Sequence, residues 1–89
     1  MKTEEQIVQK NIELSAEFSR YLFEHPDIEE MLLPDAEIVL LPDFDDELRA
    51  HNRELGRQME SRGEKVSYIR IGHLRPKSIS RIDSVAIGI

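Results

Sequence analysis

A chain of 89 residues makes one domain, and at this length folding buries only about 60–65% of the surface that the unfolded chain exposes, so the core is modest. The absence of cysteine excludes disulfides, thiolate metal sites and cysteine nucleophiles. A net charge of −6 weighs against nucleic acid as a partner, since that affinity rests on neutralising phosphates. The charge is unevenly spread: residues 1–63 carry 7 basic and 16 acidic side chains, residues 64–89 carry 5 and 2.

Thr3 with Gln6 is a capping-box signature, and the spacing predicts a helix over residues 3–24. Ile7, Leu14, Phe18 and Tyr21 form one apolar stripe, with Val8, Ile12 and Leu22 beside it, so a wide buried face is expected. Asn11, Ser15 and Ser19 recur every four residues, small and polar enough for close approach of another helix. Pro26 stops the helix, leaving His25 to bond its last carbonyls. Asp27 to Met31 can add one turn before the turn chemistry of Leu33-Pro34-Asp35.

Residues 36–71 read as strand, helix, strand, and a helical crossover of this length makes the strands parallel with a right-handed connection. Ile38 to Leu41 are apolar on both faces, so the first strand is covered on both sides, by the crossover helix and by the N-terminal helix. Phe44, Leu48, His51, Leu55 and Met59 mark the inward stripe of the crossover helix, with Gly63 as its C-terminal cap. His51 is there a hydrogen-bonded core or boundary histidine before it is a ligand. The second strand is Lys65 to Ile71. Residues 79–89, rich in β-branched side chains, form a third strand or an arm that pairs with another chain. The expected fold class is therefore α/β: a small α-β-α-β(-β) domain with a partly parallel sheet, spanning 1–89.

Asn11 to Ser15 with Glu17-Phe18, Tyr21 to Pro26, Ala36 to Pro42 and Gly63 to Ile71 together resemble a family of short prokaryotic proteins catalogued as a domain of unknown function. The resemblance covers nearly the whole chain and implies no activity, cofactor or catalytic residue.

In an open parallel sheet, ligands bind beyond the carboxyl ends of the strands. There the sequence places Asp43, Asp45, Asp46 and Glu47 after the first strand, and Gly72, His73 and Arg75 after the second. Asp43, Asp46 and His73 are the catalytic candidates. Asp43, Asp45, Asp46 and His73 are the metal candidates: as oxygen and imidazole ligands they suit Mg²⁺ or Mn²⁺ and a metal-dependent hydrolase or phosphoryl-transfer reaction. The competing reading makes Asp43 the cap and Asp46 the capping-box partner of the helix that follows, each cap contributing about 1 kcal/mol. No glycine-rich turn is present to cradle a nucleotide phosphate.

Arg49, Arg53 and Arg57 recur along one helix face, with Asp45 to Arg49 and Glu54 to Arg57 as candidate pairs and Arg53 without one. Together with the strand and tail residues, Arg49, Arg53, Arg70, Arg75, Lys77 and Arg81 are candidates for binding an acidic partner. They lack interleaved aromatics, so RNA binding through the basic C-terminal segment ranks last. The expectation is a cytoplasmic, self-associating module, dimeric, that binds a protein partner as a regulatory or antitoxin-like accessory; no cofactor, membrane or nucleophile is called for. That expectation rests on small size, the charge asymmetry and the apolar stretch Val85 to Ile89.

Overall fold

The computed structural model describes residues 3–76 and 82–88. Its elements run α1 (Glu4–Glu24), α2 (Pro26–Glu30), β1 (Glu37–Pro42), α3 (Asp46–Ser61) and β2 (Val66–Ile71), a mixed α/β domain. The capping box forms as the sequence predicts: Gln6 N–H donates to Thr3 Oγ1 at 3.2 Å, and Thr3 N–H to Gln6 Oε1 at 3.0 Å. His25 closes α1, its Nδ1 2.9 Å from the Tyr21 carbonyl and its ring stacked on Tyr21 at 4.0 Å. Pro26 then opens α2 at the first helical position, where its missing N–H costs nothing.

β1 and β2 pair in parallel, Glu37 opposite Val66 through Pro42 opposite Ile71. The Glu37 N–H donates to the Lys65 carbonyl and the Asp43 N–H to the Ile71 carbonyl, so odd-numbered residues of β1 point their backbone groups at β2. Even-numbered residues point outward. Among them Pro42 has no N–H to strand, which is why proline is tolerated in this register. The Leu40 carbonyl is met by Asn52 Nδ2 at 2.9 Å, and the Pro42 carbonyl by the Asp45 N–H and Arg49. α3 thus covers the outer edge of β1 at the Leu40 and Pro42 carbonyls.

The period of two puts Leu40, Ile69 and Ile71 on one face, where they join Ile7, Leu14 and Phe18 of α1 and Leu48 of α3 in the core. Val39, Leu41 and Tyr68 share the other face, on which Gly56 brings the α3 backbone against the Tyr68 ring. The N-terminal helix is therefore the second cover of the sheet. Its buried face is narrower than the sequence predicts: Ile7 and Leu14 are buried, while Val8 (53%), Ile12 (58%) and Tyr21 (47%) are exposed.

The inward line of α3 also differs from the apolar stripe. Leu48, Asn52 and Gly56 are buried, His51 and Met59 are half-buried, and Phe44 and Leu55 are exposed. The helix turns so that Asn52 reaches the Leu40 carbonyl and Gly56 admits Tyr68, requirements that a count of apolar residues does not register. At the end of α3, Gly63 sits at φ +85° just beyond the cap residue Arg62. Its N–H bonds the Glu60 carbonyl and the Glu64 N–H bonds the Met59 carbonyl, a Schellman closure. No third strand forms among the described residues; 82–88 are exposed and irregular. The rest of the expected arm, residues 79–81 and 89, lies outside the described residues, and no helix among those described is long and apolar enough to cross a membrane.

Candidate functional site

The turn from β1 into α3 distributes its carboxylates differently from the expected cap. Asp45, not Asp43, is the N-cap: its Oδ1 accepts from the Leu48 N–H at 3.0 Å, and its Oδ2 accepts from Lys10 Nζ of α1 at 2.7 Å. The cap lies two residues later because Asp43 is still held in the ladder by its N–H bond to the Ile71 carbonyl. With Asp45 committed to Lys10, Arg49 pairs instead with Asp46 at 2.7 Å, i to i+3 along the helix. Asp46 is 89% exposed, so this pair is worth about 0–1 kcal/mol. Glu54 and Arg57 do meet, at a loose 3.7 Å.

Asp43 turns to β2, where Arg70 Nε donates to its Oδ2 at 2.7 Å. Arg49 reaches back to the Asp43 carbonyl at 3.2 Å. Arg49, Arg53, Arg70 and Asp43 thereby surround Leu41 in a concavity of about 450 Å³ at the carboxyl end of the sheet. A second concavity, of about 320 Å³, continues along α3 over Leu41, Arg53, Arg57, Glu60 and Tyr68. Arg53 lines both and makes no hydrogen bond or ion pair among the described residues. The Tyr68 hydroxyl donates to Glu60 Oε1, and this bond, followed by desolvation and the Glu60 charge, raises the phenol above its ordinary value, with Arg57 and Arg53 opposing.

Of the sequence candidates, Asp43, Arg49, Arg53 and Arg70 come together. Asp45 and Asp46 lie on the same turn but are engaged by Lys10 and Arg49. His73 and Arg75 are exposed in the segment after β2, and Lys77 and Arg81 lie outside the described residues. Among the described residues no group of three or more His, Asp or Glu side chains is arranged to hold a metal ion. The arrangement gathers three guanidinium groups and one carboxylate around the Leu41 side chain.

Sequence reasoning overlooked Leu41, Tyr68, Gly56 and Asn52 as parts of this region. Asn52 is 4% exposed and exchanges two amide hydrogen bonds with Asn11, at 2.9 and 2.8 Å, while also holding the Leu40 carbonyl. Its signal was the spacing Leu48-Asn52-Gly56, matched by the polar row beginning at Asn11 on α1.

No curated protein and no solved structure matches the chain. The family description that does match, "Family of unknown function (DUF5647)", covers residues 6–85, and the chain belongs to that family.

Proposed function

We propose that this protein is a self-associating, protein-binding module, dimeric, that acts in a regulatory or accessory role. The observation that carries the reading is the apolar surface left in water by so small a core: Phe23 is 88% exposed, Val85 71%, Ile87 90%, and Val8 and Ile12 of α1 more than half. Surface of this kind marks interaction sites when it is extensive, and small domains gain stability by covering it against another chain. Light scattering after size exclusion, across a hundredfold range of protein concentration, tests it. The expected result is a mass twice that of the 10.4 kDa chain that falls toward the monomer on dilution. A monomer throughout the range overturns it.

A second reading concerns the partner and is favoured by Arg53. An unpaired guanidinium beside two others, over an apolar floor, suits a carboxylate-bearing segment of another protein. Substituting Arg53→Glu should abolish capture of acidic partner peptides while leaving the fold intact; unchanged capture removes the concavity from the binding surface.

A further inference from the structure

The sheet ends abruptly on one side. On the outer edge of β1 α3 takes the Leu40 and Pro42 carbonyls, but the outward N–H and C=O groups of Val66, Tyr68 and Arg70 along the whole of β2 have no partner among the described residues. A two-stranded parallel sheet is marginal by itself, and an open edge is a template for another strand. The same chain carries a segment of strand-forming composition that lies outside its sheet: in residues 82–88 the side chains of Ile82, Val85 and Ile87 are 68%, 71% and 90% exposed. We propose that residues 82–87 of a second copy add to the free edge of β2 as an antiparallel strand. Asp83 then lies opposite Arg70, Val85 opposite Tyr68 and Ile87 opposite Val66. This rests on the self-association proposed above and assigns its contact.

The register follows from chemistry on both strands. With Asp83 opposite Arg70, the face bearing Tyr68 receives an acid against a base, a β-branched residue against an aromatic ring, and two aliphatic residues against each other, the pairings that stabilise a sheet. The opposite face pairs Ile82 with Ile71, Ser84 with Ile69 and Ala86 with Ser67. The residues placed opposite Val66, Tyr68 and Arg70 are those whose backbone groups face β2, so the hydrogen-bonding parity is satisfied as well. A parallel strand of the same parity would set Ile87 against Arg70 and Asp83 against Val66, losing both complements. Charge also selects this site. Arg70 uses only Nε on Asp43, leaving its terminal nitrogens for a second carboxylate, and Arg53 and Arg49 line the adjoining concavity. A second copy is the occupant because a single chain leaves the segment off its own edge. The radius of gyration is 17.2 Å, against about 12 Å for a compact chain of this length. Exchange between two copies is reciprocal, each giving one arm and receiving one, which is how two-fold interfaces close.

The absence of native cysteine makes disulfide trapping decisive. Ser67 and Ala86 would form a non-hydrogen-bonded pair, with Cα atoms about 4.5 Å apart and well within disulfide reach. Single variants Ser67→Cys and Ala86→Cys, mixed and oxidised, should give a covalent heterodimer. Ser67→Cys mixed with Ser84→Cys, which reports the parallel register, should not. Val85→Pro, which removes an N–H from the added strand on an exposed segment, should raise the dimer dissociation constant at least tenfold with an unchanged circular dichroism spectrum. A dimer by light scattering with no Ser67–Ala86 crosslink and no effect of Val85→Pro overturns the arm while leaving self-association intact. Crosslinking through Ser84 overturns the register. A doubly substituted Ser67→Cys/Ala86→Cys chain that closes only within one monomer overturns the second copy as occupant. A monomer at all concentrations overturns both readings.

Discussion

Asn52 concentrates more of the fold than any other polar side chain described. Buried with every hydrogen-bonding atom engaged, it ties α1 to α3 through Asn11 and α3 to β1 through the Leu40 carbonyl. Asn52→Ala would leave that carbonyl and the Asn11 amide without partners; at about 1–3 kcal/mol for a buried unsatisfied group, the substitution should lower the denaturation midpoint markedly. A midpoint within error of the native chain would show that water replaces the amide. Gly56 sets two opposed effects against each other. Alanine gains about 1 kcal/mol of helix propensity, but its Cβ would lie 2.6 Å from the Tyr68 ring and hydroxyl. The ring is partly exposed and can swing away, so Gly56→Ala should change stability by less than about 1 kcal/mol while breaking the Tyr68–Glu60 bond. Ultraviolet titration reads that bond directly. The native chain should show a phenol ionising above the ordinary value of about 10, a component absent in Tyr68→Phe and moved downward in Gly56→Ala. Because the folded value is raised, any stability the bond contributes is fully present below pH 10 or so and is lost as pH rises through the folded value.

At the scale of elements, Asp45 joins two links, capping α3 through Leu48 and anchoring α1 through Lys10. Asp45→Ala should therefore cost about 1–2 kcal/mol, more than Lys10→Ala, which removes only the half-exposed partner. Equal losses in a urea titration would place the whole effect in the ion pair. The elements themselves were readable from the chain. Thr3 and Gln6, Pro26 and Gly63 each act through a local backbone rule, and the capping box, helix stop and Schellman turn all form where those residues put them. The apolar run from Ile38 gave β1 and its cover on two faces. What escaped reading depends on contacts distant in sequence. Asp43 looks as good a cap as Asp45 until the Ile71 carbonyl claims its N–H. The α3 stripe drawn through His51 and Leu55 is apolar by count, but the helix is oriented by an amide and a glycine whose partners lie on α1 and β2. Of the candidate site, the convergence of Arg49, Arg53 and Arg70 follows from the parallel pairing, whereas the pairing of Asp43 with Arg70 needed the register itself.

For the molecule as a whole, the balance lies between a small core and a large uncovered periphery. The buried hydrophobic side chains gather at Ile7, Leu14, Val39, Leu40, Leu41 and Leu48, and the outward side of α1 and the segment after β2 are left to solvent. The proposed dimer covers part of that surface, so denaturation midpoints measured by circular dichroism should rise with protein concentration, as mass action requires of any fold coupled to association. Concentration-independent midpoints would mean that the monomer is self-sufficient.

The partial cover of the β1 edge bears on how far such sheets can grow. Strand-by-strand polymerisation needs two receptive edges on every unit, one to accept and one to offer. Here one edge is obstructed along its carboxyl half: the Leu40 and Pro42 carbonyls are taken by Asn52, Asp45 and Arg49, and Pro42 withholds an N–H. A strand approaching β1 therefore finds no free carbonyl at Leu40 or Pro42 and no N–H at Pro42, which limits growth of the sheet on that side.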